Sequence, residues 1–77
     1  MHGMNPELLN VIRGLSGLSQ KGMADRLNVS QSLITKLERG ERIISDDVRK
    51  KVTGEFGLTP ELLRQLDDLI KTFNNGK

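Results

Sequence analysis

The chain has no cysteine, tryptophan or tyrosine, and among its 77 residues only two phenylalanines, two prolines and one histidine. Without cysteine there is neither a disulfide framework nor a thiolate metal site. A single domain this short must then rely on a dense apolar core or on association with another chain. His2, close to the N-terminus, cannot build a metal site by itself, so neither a metal nor another cofactor is expected. Also missing is any apolar run near the ~18 residues of a membrane span, and the N-terminus carries no apolar signal-peptide core. The expectation is a protein of the reducing cytoplasm with no membrane partner. There is no Gly-rich phosphate loop, no nucleophile beside a base and no H-E-x-x-H signature. An enzyme acting on a small-molecule substrate is therefore not expected. No segment alternates apolar and polar residues at period two, which argues against strands.

What is present is a series of helix starts and stops. Asn5-Pro6-Glu7 supplies an N-cap, a proline suited to the first turn and an acid for the positive end of the dipole. Leu8, Leu9, Ile12 and Leu15 follow at helical spacing, and a stop is expected near Gly14 or Gly17. Ser19 can cap a helix over 20–27 whose Met23, Ala24 and Leu27 share a face. Ser30 can cap another over 31–39, with Ile34 and Leu37 inward and Gly40 as terminator. Ser45-Asp46-Asp47 opens a fourth, with Val48, Val52 and Phe56 as its stripe and Gly57 at its end. Gly54 inside that helix implies a tight packing contact or early fraying. Thr59-Pro60-Glu61 repeats the first pattern and starts a fifth helix over 59–73. Residues 1–4 and 74–77 read as a disordered N-terminus and a frayed tail.

The net charge is +2, but its placement is uneven. Ser19 to Lys51 holds eight basic and five acidic residues, whereas Thr53 to Phe73 holds two basic and four acidic ones. A basic middle and an acidic end fit one surface that meets a polyanion and another that does not.

The decisive segment is 20–39. Two short helices are joined by a turn of about three residues, and Asn28 falls where the chain needs a left-handed conformation. With Ile34 and Leu37 buried, Gln31, Ser32, Thr35, Lys36 and Arg39 are left on or beside a polar, long-armed face without an acid. A helix entering a major groove needs such a face.

The run L-S-Q-K-G-M-A-D-R-L-N-V-S-Q-S-L-I-T-K-L-E-R-G-E-R, Leu18 to Arg42, resembles the phage repressor and Cro helix-turn-helix family, also called XRE-like. The likeness continues through Ser45, Val52, Phe56-Gly57-Leu58 and Leu62-Leu63 and covers about residues 8 to 66. It implies an all-α, five-helix, lambda-repressor-like domain whose second and third helices form the helix-turn-helix. It further implies base contacts from Gln31, Ser32, Thr35 and Lys36, adenine suiting the Gln31 amide, guanine the Lys36 ammonium, and a thymine methyl or a phosphate Thr35. Phosphates would be held by Arg13, Gln20, Ser30, Arg39 and Arg42, with Gln20 also bracing Gln31. Arg13 would pair with Glu38 and lock the first helix to the third. Asn28 stands in place of the usual turn glycine, Gly22 where a helix former is usual, Ile43-Ile44 in a more polar loop, and Arg49 at an apolar position.

In the fifth helix Leu62, Leu66, Leu69, Ile70 and Phe73 form a stripe whose first two members can complete the core. Leu66, Leu69, Ile70 and Phe73 then offer a contact surface, for a homodimer first and another regulatory protein second. The implied function is a sequence-specific regulator that occupies an operator in double-stranded DNA. The alternative is an antirepressor or modulator that keeps the fold and acts on another regulator.

Overall fold

The computed structural model describes residues 4–75, and its chain forms α1 (Pro6–Leu15), α2 (Gln20–Leu27), α3 (Gln31–Glu38), α4 (Asp46–Glu55) and α5 (Pro60–Asn75). Among the described residues there is no strand. Each helix starts where a short polar side chain takes over an orphan amide of the first turn. Asn5 accepts from the Leu8 N–H at 2.8 Å, Ser19 from Gly22 at 2.9 Å and Ser30 from Leu33 at 3.1 Å. Ser45 and Thr59 do the same for Val48 and Leu62, at 3.3 and 3.1 Å.

The first four helices also end alike. The amides of Leu18, Val29, Glu41 and Leu58 each reach back five residues, to the carbonyls of Arg13, Ala24, Lys36 and Thr53. Just before each lies a left-handed residue: Gly17, Asn28, Gly40 or Gly57. This is the Schellman closure, and three of the four residues following the left-handed position are apolar and pack on the core.

The core draws on all five helices. Leu8, Leu9 and Ile12 of α1 meet Met23, Ala24 and Leu27 of α2, Ile34 and Leu37 of α3, Val48 and Val52 of α4, and Leu63 of α5. Each large side chain buried this way contributes roughly 1.5–3 kcal/mol of transfer free energy. Ala24 is 2% exposed in the α2 face, and its small size lets α3 cross close to α2.

Several expectations need correction. Met4 is half-buried against the core and is not part of a loose end. The rest of that expectation, at 1–3, lies outside the described residues. So do 76 and 77, whereas Asn74 and Asn75 continue α5 and are not a frayed tail. Leu15 is 73% exposed, because α1 ends there and the chain turns away at Gly17 before anything covers it. Gly54 has no tight contact: a Cβ there would meet nothing within 4 Å, and the helix continues to Glu55. Phe56 is only half-buried at the end of α4, with the Arg26 guanidinium 5.6 Å from its ring centroid. Arg26 also bonds Glu55 at 2.7 Å, tying α2 to α4.

In α5 the inward residue is Leu63, 6% exposed, and not Leu62, 43% exposed. The buried line runs Leu63, Leu66, Asp67, Ile70. Of the expected stripe, Leu66 and Ile70 pack on the core and are not part of an outward contact surface, whereas Leu62, Leu69 and Phe73 face out; an aspartate in the inward line hides this from sequence reasoning. Asp67 can be buried because Asn5 Nδ2 lies 3.5 Å from one of its oxygens and Lys71 Nζ 3.1 Å from the other. Asn5 is the N-cap of α1, so the carboxylate also sits near a positive helix end.

Candidate nucleic-acid interface

The α2–turn–α3 unit owes its angle to Asn28, the one described non-glycine residue with positive φ (58°, ψ 47°). A left-handed residue there sends the chain sharply into the Ser30 cap. Val29 is half-buried and packs on the core beside the turn. Asparagine occupies this conformation at lower cost than other side chains with a Cβ.

Glu38, the sole acid of α3, does not face solvent; its side chain is 6% exposed. The carboxylate accepts from Arg13 Nε at 2.6 Å and Arg13 Nη2 at 3.1 Å. It also accepts from Asn10 Nδ2 at 3.0 Å and Gln20 Nε2 at 3.2 Å. Helices α1, α2 and α3 therefore converge on one carboxylate. Burial by itself would push the Glu38 carboxyl up, but the bonds from Arg13, Asn10 and Gln20 and the Arg13 charge outweigh it and hold the group below its ordinary range. The bond to Glu38 raises Arg13 in turn, against its own partial burial.

With Glu38 turned inward, the outer face of α3 keeps only neutral and basic groups. Gln31, Ser32 and Lys36 are exposed, and none of their side chains has a hydrogen-bond or ion-pair partner among the described residues. Arg39 and Arg42 are exposed just beyond, Arg39 lying 3.8 Å from Glu41 in a solvated pair that contributes little. Ser30 uses its oxygen as a cap, so its hydroxyl proton stays available.

Three sequence-level assignments change. Gln20 does not brace Gln31; its amide bridges Glu38 and Thr35, accepting from Thr35 Oγ1 at 2.8 Å. Thr35 is half-buried with its proton engaged. Arg13 commits Nη1 to the Leu18 carbonyl at 2.9 Å besides its two bonds to Glu38, which leaves it few donors for a phosphate. Asn10 was missed as part of the cluster. Its signal was available: it lies three residues before Arg13, hence on the same side of α1.

The departures noted in the loop resolve unequally. Ile44 is half-buried on the core, whereas Ile43 is 93% exposed. Arg49 borders a groove of about 870 Å³ between α4 and the start of α5, with Ile44, Leu58, Leu63 and Arg64 around it. The charges there pair with one another, Arg49 with Asp46 at 3.6 Å and Arg64 with Glu61. Among the described residues no three His, Cys, Asp or Glu side chains gather as metal ligands. No helix there is long and apolar enough to cross a membrane.

A family model described as helix-turn-helix matches residues 10–63. Comparison with curated proteins found no match, and neither did comparison with solved structures.

Proposed function

The chain belongs to the XRE-like, Cro/repressor-type helix-turn-helix family of DNA-binding transcription regulators, and from that premise we propose that it acts by occupying an operator with α3 in the major groove. The observation that carries this reading is the acid-free outer face of α3, which exists because the Glu38 carboxylate is turned into the protein. In that pose Gln31 presents its amide to adenine N6 and N7, and Lys36 reaches the O6 and N7 acceptors of guanine. Ser32 faces a neighbouring base. Arg39, Arg42, the Ser30 hydroxyl and the spare N–H of Gln20 hold phosphates, which fix register without reading sequence.

An operator with two-fold symmetry calls for two copies, with recognition helices about one DNA turn, ~34 Å, apart. The outward stripe of α5, with Leu69 66% and Phe73 83% exposed, supplies an apolar face for the second copy. A second reading rests on Ile43, which is 93% exposed beside the proposed DNA face. Covered by another regulator, it would make this chain a modulator of that protein.

A binding selection from a randomised duplex pool tests the operator reading. The chain should enrich a two-fold symmetric site. Gln31→Ala and Lys36→Ala should each cost ~1–3 kcal/mol on that site and relax the base preference at one position. If no sequence is enriched and no duplex is bound at low salt, operator binding is abandoned in favour of the modulator.

A further inference from the structure

We propose that Thr35 reads the base it meets purely as a hydrogen-bond acceptor, because Glu38 acting through Gln20 fixes the direction of its hydroxyl proton, and that it therefore selects a base carrying an exocyclic amine, adenine or cytosine. The inference rests on the operator reading and adds a specificity rule to it.

The chain of donors runs one way. A carboxylate can only accept, so the amide group that lies 3.2 Å from Glu38 Oε1 must be the Gln20 NH2. Turning the amide over would set its oxygen against the carboxylate. Gln20 Oε1 therefore faces Thr35 Oγ1 at 2.8 Å, and two oxygens at that distance need a proton between them. The amide oxygen has none, so Thr35 donates. Its one proton is used inside the protein, and only lone pairs remain for a ligand.

Thr35 sits four residues after Gln31 and four before Arg39, both exposed, so it lies on the same face of α3. It is half-buried, so part of the residue remains accessible. In the major groove adenine N6 and cytosine N4 donate, whereas guanine O6 and thymine O4 accept. An oxygen that can only accept is satisfied by the first pair and meets unshared electrons at the second. Ser32 differs: its hydroxyl has no partner among the described residues and rotates to donate or accept, so it imposes no such rule.

The test uses the full chain on the site it selects from the randomised pool. Thr35→Val removes the oxygen at nearly constant shape, and Thr35→Ser keeps it. The Val variant should lose preference at one base pair, and the Ser variant should not. Deleting the exocyclic amine there, with purine for adenine or 2-pyrimidinone for cytosine, should weaken the unaltered chain roughly three- to tenfold, the range of one neutral hydrogen bond. The same deletion should leave Thr35→Val almost unaffected. Gln20→Met releases the proton and should let the protein accept a carbonyl-bearing base at that position, with thermal unfolding confirming that it is folded. If Thr35→Val selects the same sequence profile, or amine deletion weakens both proteins equally, the inference is overturned while the operator reading stands. If the unaltered chain enriches no duplex, the operator reading falls and this inference falls with it.

Discussion

Glu38 joins three helices through one carboxylate, and its partners decide both stability and the charge of the outer face. Removing Arg13 leaves that carboxylate nearly buried with only Asn10 and Gln20 to bond it. Arg13→Met should therefore cost about 2–3 kcal/mol in urea unfolding, less than a fully buried pair because the Arg13 side chain is 19% exposed. The pH dependence has a definite sign. The Glu38 carboxyl lies below its ordinary 4.5 in the folded chain. Its contribution is then complete above the ordinary carboxylate range and is lost as pH falls through the lowered value. In Arg13→Met, burial opposes the remaining two bonds, so this part of the acid destabilisation should shrink, as unfolding curves between pH 3 and 6 would register. The Arg13–Glu38 pair was legible only through the family resemblance, since 25 residues separate its members. The Gln20–Thr35 bond was not legible, because it depends on how α2 and α3 cross.

Helix boundaries are local chemistry, which is why they were legible. Five capping side chains, Asn5, Ser19, Ser30, Ser45 and Thr59, bond the amide three residues on, and each pattern can be read within four letters. Glycines inside helices are less transparent. A Cβ on Gly22 would come within 3.3 Å of the Ser19 capping oxygen, whereas one on Gly54 meets open space. Gly54→Ala should stabilise the chain by about 1 kcal/mol, a rise in Tm of about 4–8 °C for a domain of this size, read by calorimetry. Helix faces were harder still. In α5 the inward line carries Leu63, Leu66 and Ile70 with Asp67, and the outward line carries Leu62, Leu69 and Phe73, so hydrophobicity alone does not choose between two adjacent faces.

At the scale of the whole molecule, the outward line of α5 is the face that the proposed second copy would cover. Leu69 and Phe73 are largely exposed in the single chain, so replacing both by glutamate should leave the circular dichroism spectrum nearly unchanged. If the stripe joins two copies, sedimentation should show the variant as a monomer while the unaltered chain dimerises. Affinity for a two-fold site should drop sharply, and contact with an isolated half-site should persist. An unaltered chain that sediments as a monomer on its own and on its preferred duplex would remove the dimer from the proposal.

By itself the sequence determined the number and order of the helices, the left-handed turn at Asn28 and the membership of a DNA-binding family, because caps, turns and apolar periodicity act over a few residues. Only the tertiary structure decided which face of α5 is buried, that Glu38 turns inward, and that Thr35 gives its proton to Gln20. These depend on the crossing of helices far apart in the chain, where a shift of a few ångströms changes which groups can bond.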